Sequence, residues 1–286
     1  MDNVISLFAA QTAQKSETVT IVVPCYNEAE RLDVNAFTEF LSLSSAVSFV
    51  FVDDGSRDAT LDVLSRIESA NPGRVQILSL SRNSGKAEAV RQGLLFAAAS
   101  NAAFVGYWDA DLATPLAAID DFARIARRYN DITVVYGARL RLLGHRVSRT
   151  LGRRIVSRTC ARLARVAVGL PIGDTQCGAK LFRNTEVVRG ALATPFSAGW
   201  LFDVELFTRI AAAGRSPYAF YEMPLAEWTE IPGSKVTGRA IRRAGFAMLR
   251  LIAERRFGLA SRPSLENVPE VILVESARAD EIRKAA

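Results

Sequence analysis

Histidine and cysteine are scarce in this sequence of 286 residues, which contains one histidine, His145, and three cysteines, Cys25, Cys160 and Cys177. The cysteines have no paired metal-ligand spacing, and their odd number does not suit a disulfide framework. These absences argue against a zinc site, a disulfide scaffold and any catalytic triad that needs histidine, unless His145 supplies it. A reducing cytoplasm is the simplest setting for such a chain.

Long apolar runs are also missing. No segment reaches the ~18 consecutive apolar residues of a membrane-spanning helix, and the N-terminus lacks the basic start and apolar run of a signal peptide. We therefore expect a cytoplasmic protein, either free or associated with the inner face of the membrane. The formal net charge of +6 and the pI near 9.5 favour anionic partners, a class that includes nucleic acid, anionic lipid and sugar nucleotides.

Glycine-rich phosphate-binding loops are absent as well. Neither Gly-x-Gly-x-x-Gly nor a P-loop follows the first predicted strand, where the sequence reads Pro24-Cys25-Tyr26-Asn27. This excludes a Rossmann dinucleotide site and argues against a sugar nucleotidyltransferase. A nucleotide, if one binds, must be held by other groups.

Strands and helices alternate in the first half of the chain. The pattern predicts strands at Val19–Pro24, Val47–Val52, Val75–Leu80 and Ala103–Trp108, with helices at roughly 33–43, 58–70 and 87–99. This order predicts βαβ units and a mainly parallel sheet, in which ligands bind beyond the carboxyl ends of the strands. Polar clusters follow all four strands, at 26–28, 53–56, 82–86 and 109–111. We expect these clusters to meet at one edge of the sheet.

The last of these clusters contains two aspartates separated by one residue. In an extended backbone Asp109 and Asp111 point to the same side, where their charges repel unless a cation lies between them. Mg²⁺ or Mn²⁺ that also bridges a diphosphate has the matching preference for oxygen ligands. The alternative is a strand that ends in a solvated acidic turn.

The second half of the chain is rich in arginine. A fifth strand at Ile132–Gly137 leads to Arg139, and the stretch from Arg139 to Arg165 contains nine arginines and no acidic residue. Solvated helix faces normally interleave glutamate, so we expect this cluster to meet phosphates, either those of a donor diphosphate or those of a lipid surface. Further predicted elements are a helix over about 150–168, a strand ending at Phe182, a helix over 200–213 and a strand at Tyr218–Met223.

We divide the chain into a flexible N-terminal tail (1–16), a catalytic domain (17–235), a basic amphipathic helix (236–258) and a charged C-terminal tail (259–286) that includes at most a short accessory helix. The basic helix has two interpretations of similar weight. It packs on the domain as an ordinary helix, or it lies at an anionic membrane surface.

Seven ordered motifs resemble those of family 2 glycosyltransferases, and in particular the dolichyl-phosphate β-glucosyltransferase branch, which is related to the dolichyl-phosphate mannose synthases. The motifs lie at 21–28, 52–56, 82–86, 109–111, 174–182, 200–205 and 228–235, so the resemblance covers about residues 17–258. It implies a single α/β domain of the nucleotide-sugar-binding GT-A type, Rossmann-like, with a mainly parallel central sheet. It also implies inverting transfer of a hexose, with glucose from UDP-glucose favoured, to a polyprenyl (dolichyl or undecaprenyl) phosphate.

The resemblance implies roles for individual residues too. The nucleotide sugar would be held by Pro24, Tyr26, Glu28, Asp53, Asp54, Lys86, Asp109, Ala110, Asp111 and Arg139. Mg²⁺ or Mn²⁺ would be bound by Asp111, with Asp109 on the ion or the ribose. The acceptor phosphate would meet Arg153, Ser234 and Lys235. The catalytic set would comprise Asp111, Asp174, Gln176, Asp203 and Lys235, with Asp174 and Gln176 lining the sugar pocket.

Three alternatives stay open. The first keeps the acceptor but transfers mannose from GDP-mannose. The second is a hydroxyl acceptor, which would need a general base such as Asp203, whereas a lipid phosphate is already ionised. The third is a non-catalytic binder of anionic surfaces, which leaves the four polar clusters unexplained. Nucleic acid is not an expected partner, and the oligomeric state stays open.

Overall fold

The backbone follows the alternation of strands and helices that the sequence pattern predicts for the first half of the chain. The computed structural model describes residues 17–147, 151–214, 216–229, 238–257 and 268–274; for 151–158 and 238–242 it describes the backbone. In this part of the chain the strands are β1 (Val19–Cys25), β2 (Val47–Asp53), β3 (Val75–Leu80), β4 (Phe104–Trp108), β5 (Val134–Ala138), β6 (Arg146–Val147), β7 (Ala179–Arg183), β8 (Phe220–Pro224), β9 (Glu227–Trp228) and β10 (Val271–Val274). The helices are α1 (Val34–Leu43), α2 (Thr60–Ala70), α3 (Lys86–Ala99), α4 (Ala118–Arg128), α5 (Leu151–Val168), α6 (Glu186–Leu192), α7 (Phe202–Ala212) and α8 (Gly238–Phe257).

One sheet of eight strands, in the order β10-β3-β2-β1-β4-β7-β5-β8, forms the centre of the fold. Six of its strands share one direction, while β7 and β10 run antiparallel to their neighbours. The predicted α/β domain with a mainly parallel central sheet is therefore confirmed. Strands β6 and β9 form a separate two-stranded ribbon.

Helices cover both faces of the sheet. On one face α1, α2 and α4 contribute Phe37, Leu64 and Phe122 to an apolar cluster. On the other face α3, α5, α6, α7 and α8 build a second cluster, which includes Leu94 and Phe207. Parallel strands covered on both faces need nearly continuous apolar sequence, which explains the uniform runs in β1, β2 and β4.

Two helices, α4 and α6, were not predicted. In α4 the buried residues Ile119, Phe122, Ala123 and Ala126 recur at helical spacing with charged residues on the opposite face, so the sequence contains a clear amphipathic signal that the prediction overlooked. Helix α6 has only seven residues, which is too short for a clear helical period.

The sequence predicts that segment 259–286 is a charged tail with at most a short helix. This prediction is wrong at β10, which is a strand. This strand pairs antiparallel with β3, with Val271 opposite Leu80 and Val274 opposite Ile77. Four apolar residues between charged stretches are a weak local signal, and the strand forms because the edge of β3 offers unpaired backbone groups. Residues 259–267 and 275–286 lie outside the described residues, as does the predicted tail 1–16.

Helix α8 lies within the segment predicted to be a basic amphipathic helix. Met248 and Leu251 are buried against the domain, whereas Phe246 is 75% exposed and Leu249 is 62% exposed. Packing on the domain therefore accounts for one face of α8 and leaves Phe246 and Leu249 at the surface. No helix among the described residues is long and apolar enough to cross a membrane.

The contact between α3 and β1 predicts opposite effects for two glycine-to-alanine substitutions. A Cβ at Gly93 would lie 2.3 Å from Val22 Cγ1, whereas a Cβ at Gly190 in α6 meets nothing within 4 Å. We expect Gly93→Ala to lower the free energy of unfolding by about 1–3 kcal/mol through overpacking. Gly190→Ala should raise it by about 0.5–1 kcal/mol. Urea titrations that give the same change for both variants would contradict this account of the α3 contact.

Candidate active site

A cleft of about 220 Å³ opens at the carboxyl edge of the sheet, beside the N-terminus of α3. All four polar clusters that follow β1 to β4 contribute to it, so the structure brings them together at one edge. The cleft is lined by Pro24, Cys25, Tyr26, Glu28, Arg31, Asp54, Lys86, Ala89, Asp109, Ala110 and Asp111. Eight of the ten residues predicted to hold a nucleotide sugar are among them; Asp53 and Arg139 are not.

Asp54 anchors the loop that leads into α3. Its Oδ1 accepts the backbone N–H of Ser84 at 2.7 Å, and its Oδ2 accepts that of Gly85 at 2.8 Å. Asp53, buried next to it, accepts the N–H of Ser56 at 3.2 Å. Burial raises the pKa of both carboxyl groups. Asp54 thus positions Lys86 through the loop, a supporting contact that the sequence did not reveal.

Lys86, the first residue of α3, forms an ion pair across the cleft. Its Nζ lies 2.5 Å from Asp109 Oδ1 and 5.7 Å from the centroid of the Tyr107 ring. Burial opposes the charge of Lys86, but the charge and hydrogen bond of Asp109 outweigh it and raise the pKa of the ammonium. The cleft therefore keeps a cation at the end of β4.

Asp109 and Asp111 both face the cleft, as predicted, but they lie in a turn and not on extended backbone. Strand β4 ends at Trp108, and the N–H of Leu112 donates to Asp109 O at 3.3 Å with Leu112 at a φ of 53°. Asp111 Oδ1 accepts the N–H of Ala113 at 3.0 Å. Burial and the charge of Asp109 raise the pKa of Asp111. The two carboxylates share the cleft because the turn, not the strand period, directs them there.

A neighbouring loop orients Asp109. The N–H of Asp109 donates to Gly178 O at 2.9 Å. Gly178 also lies against the carboxylate, since a Cβ at that position would be 1.9 Å from Asp109 Oδ2. A side chain at residue 178 would displace Asp109, so the close approach requires glycine.

The donor atoms of the cleft fit a hard divalent ion that is completed by a ligand. The described residues contain no group of three or more His, Cys, Asp or Glu side chains that could hold a metal by themselves. Mg²⁺ usually takes one or two protein carboxylates, several waters and substrate phosphates. Asp109 and Asp111 meet that requirement as a pair.

Arg31 is a cleft residue that the sequence interpretation missed. Its Nε donates to Glu28 Oε2 at 2.9 Å and its Nη2 to Oε1 at 2.5 Å, and its side chain is 45% exposed. The sequence contains a signal for it, because Arg31 lies three positions after Glu28, just beyond the polar cluster at 26–28. Its planar guanidinium adds a second cation to the cleft, of a type that suits phosphate groups.

Arg139 lies apart from this cleft, at the end of β5, and pairs with Asp174. Its Nε and Nη2 donate to the two carboxylate oxygens at 2.6 and 2.8 Å. Glu222 on β8 braces the pair by accepting the N–H groups of Gly173 at 2.9 Å and Asp174 at 2.7 Å. The guanidinium also lies 5.2 Å from the centroid of the Trp228 ring. Arg139 is thus held in place by protein groups, and Glu222 is a bracing residue that no motif indicated.

Gln176 is predicted to line the sugar pocket, and its side-chain amide has an N–H donor without a hydrogen-bond partner among the described residues. Its Nε2 is buried and has no hydrogen-bond partner within the described part of the chain. Leaving a buried donor unpaired costs on the order of 1–3 kcal/mol. A ligand or a water molecule that accepts this N–H would remove the cost.

Asp203 belongs to a buried network, although it is also a candidate base. Its carboxylate accepts the hydroxyl of Tyr107 and lies 3.1 Å from Lys180 Nζ. Lys180 is fully buried and also donates to Tyr107 Oη at 2.8 Å and to Cys177 O at 2.6 Å. Burial raises the pKa of Asp203, and the charge of Lys180 opposes the rise. These contacts favour a structural role for Asp203 over that of a base.

The predicted acceptor site is the least described part of the molecule. Ser234 and Lys235 lie outside the described residues. Arg153 belongs to α5, at a position where the backbone alone is described.

Comparisons with known proteins show which proteins the chain resembles. The model of the family described as "Glycosyl transferase family 2" matches residues 20–187. A dolichyl-phosphate beta-glucosyltransferase of Drosophila melanogaster is 32% identical over 237 residues, which cover 77% of this chain and 69% of that protein. The protein of the same name from Homo sapiens is 30% identical over 247 residues, covering 77% and 70%.

Solved structures share the fold at low identity. Glucosyl-3-phosphoglycerate synthase from Mycobacterium tuberculosis, in complex with Mn²⁺, uridine-diphosphate-glucose and phosphoglyceric acid, superposes with a TM-score of 0.59 at 16% identity, over 90% of this chain and 87% of that one. Mannosyl-3-phosphoglycerate synthase from Rubrobacter xylanophilus gives a TM-score of 0.57 at 15% identity, over 87% and 78%. At these identities the likeness establishes the fold.

The buried network predicts non-additive changes in stability. Lys180→Met leaves Asp203 buried without its cation, and we expect it to lower the free energy of unfolding by about 3–5 kcal/mol. The double variant Lys180→Met/Asp203→Asn removes both charges and should recover part of that loss. Urea unfolding of the wild type, both single variants and the double variant measures the coupling. Simple addition of the two single effects would contradict the pairing.

Proposed function

The chain belongs to glycosyl transferase family 2, and we propose that it transfers glucose from UDP-glucose to a polyprenyl phosphate, with inversion at the anomeric carbon. One observation carries the proposal: relatives that align with 77% of the chain at 30–32% identity are named dolichyl-phosphate beta-glucosyltransferases. The cleft at the carboxyl edge of the sheet, with its two cations and its aspartate pair, supports the same assignment.

We assign the donor nucleotide to the cleft. In this assignment Pro24, Tyr26 and Glu28, together with the neighbouring Asp53, hold the nucleoside, because carboxylates suit ribose hydroxyls and a base N–H. Asp54 keeps the loop to α3 in place. Ala110 lets the donor approach the backbone between the two aspartates.

The diphosphate would lie between Lys86, Arg31 and the two aspartates. We propose Asp111 as the main ligand of Mg²⁺ or Mn²⁺, because Asp109 is shared with Lys86. When bound, the ion would help to neutralise the negative charge on the departing diphosphate. The Mn²⁺ and UDP-glucose in the related fold support a divalent ion at such a cleft.

The sugar would lie towards Asp174 and Gln176. Gln176 Nε2, which lacks a partner within the described residues, is suited to donate to a sugar hydroxyl. Asp174 holds Arg139 in a bidentate ion pair, which fixes the guanidinium at the end of β5, next to the proposed sugar site.

The acceptor would approach from the side of α5 and α8. We propose that Arg153, Ser234 and Lys235 bind its phosphate, within a catalytic domain that spans 17–235. A polyprenyl phosphate resides in a bilayer, so the chain would work in peripheral contact with an anionic membrane, with the exposed side chains of α8 one available surface. Because a phosphate acceptor is ionised at neutral pH, the transfer needs no strong general base.

The first test offers labelled UDP-glucose and GDP-mannose separately, with a polyprenyl phosphate and Mg²⁺ or Mn²⁺, and counts label in the organic phase. We expect label from UDP-glucose, its loss on chelation of the metal, and a fall of about 100-fold or more in Asp111→Asn. Asp120→Asn, the same change on the exposed face of α4, is the matched control and should be without effect. Label from GDP-mannose instead would replace glucose by mannose.

The second test separates a phosphate from a hydroxyl acceptor. Asp203→Asn should weaken the buried network but retain transfer within about tenfold in the folded protein, because no base is required. Activity is measured beside a urea titration, so that loss of structure is not mistaken for loss of a base. A folded Asp203→Asn that loses about 1,000-fold or more would establish Asp203 as the base and favour a hydroxyl acceptor.

A further inference from the structure

The connection between β5 and β6 exposes three leucines within four residues. Leu140 is 42% exposed, Leu142 is 47% exposed and Leu143 is fully exposed at 102%. We call residues 140–143 the leucine turn. Single exposed apolar side chains are common on protein surfaces, but a contiguous group of large ones marks a contact site.

The leucine turn is held at both ends. On one side Arg139 pairs with Asp174. On the other side His145 Nδ1 lies 2.8 Å from Leu225 O, and the N–H of Arg146 donates to Ala226 O at 2.8 Å. Within the turn the N–H of His145 donates to Leu142 O at 3.1 Å, with Gly144 at a φ of 81°. The backbone therefore presents the leucines in a defined conformation.

Exposed arginines flank the leucine turn. Arg141 and Arg146 are exposed, and the sequence from Arg139 to Arg165 contains no acidic residue. An acidic residue, the exposed Glu227, borders this surface opposite Arg146 in the pair of β6 and β9. Leucines flanked by arginines suit the boundary of an anionic bilayer, where apolar side chains enter the acyl region and guanidinium groups remain among the headgroups. A protein partner would have to offer an acidic rim around an apolar pocket, a more specialised surface.

The leucine turn lies at the same edge of the sheet as the cleft. It begins directly after β5, at the carboxyl edge that carries the cleft, and its first neighbour is Arg139. We propose that the leucine turn inserts into an anionic bilayer and brings this edge to headgroup level, where a lipid-linked phosphate acceptor is presented. The acceptor part rests on the proposed function; the insertion itself does not. The leucine turn and α8 are different segments of the chain, so their contributions to membrane binding can be tested separately.

Vesicle binding tests the insertion. Leu142→Ser/Leu143→Ser removes apolar surface without adding charge, and its control is Leu43→Ser/Tyr218→Ser, two exposed residues at the opposite edge of the sheet, just before β2 and β8. In co-sedimentation with vesicles of phosphatidylcholine and phosphatidylserine, we expect partitioning to fall about tenfold or more in the turn variant and to stay unchanged in the control. Thermal unfolding should show the same midpoint for both variants.

A third variant, Phe246→Ser/Leu249→Ser, tests the exposed face of α8 in the same assay. Equal binding by the wild type and the turn variant, with loss confined to the α8 variant, would overturn the proposal. Failure of the wild type to bind these vesicles would overturn it too, and would point to a protein partner for the leucine turn.

Transfer assays distinguish this proposal from the proposed function. With a polyprenyl phosphate embedded in the vesicles, the turn variant should lose about tenfold in rate, in step with its binding. With a short prenyl phosphate that dissolves in water, it should match the wild type. Equal loss with both acceptors would overturn the insertion role. Absence of transfer by the wild type to either acceptor would refute the proposed function, while vesicle binding would still decide the insertion.

Discussion

The ion pair of Lys86 and Asp109 is the contact on which the cleft depends. It joins the start of α3 to the turn after β4, at a separation of 2.5 Å. Hydrogen bonds from neighbouring loops fix the position of each partner. Asp54 anchors the loop that leads to Lys86, and the N–H of Asp109 donates to the carbonyl oxygen of Gly178. Without Lys86 the carboxylates of Asp109 and Asp111 would repel each other in a partly buried site. The pair thus keeps the acidic side chains together in the cleft.

Two further charge clusters support the edge of the sheet from within. Lys180 and Asp203 connect β7 to α7 beneath the cleft, and Lys180 also holds Cys177 O, next to the glycine that touches Asp109. Arg139 and Asp174 form the second cluster at the end of β5, braced by Glu222. Buried charges are costly unless all their partners are present, so such clusters tolerate one arrangement of the surrounding backbone. That rigidity suits a site that stabilises developing charge.

Apolar and basic side chains occur together on two exposed surfaces of the molecule. The leucine turn and α8 expose large apolar side chains, and the arginine-rich stretch supplies positive charge without acidic residues. Sugar nucleotides dissolve in water, whereas polyprenyl phosphates reside in bilayers. A cleft that receives the first from one side, beside an apolar and basic rim that faces the second, is consistent with the function proposed for this chain.

The sequence by itself determined the α/β fold and the composition of the cleft. Strands β1 to β4 appear as local apolar runs, and the rule that parallel strands end at one edge was enough to group Tyr26, Asp54, Lys86 and Asp111. Tertiary structure alone decided the antiparallel insertion of β7, the pairing of β10 with β3, and the partners of Arg139, Asp203 and Lys180. These contacts join residues far apart in the chain, and their energies come from burial and partner geometry, neither of which a local pattern of residues contains.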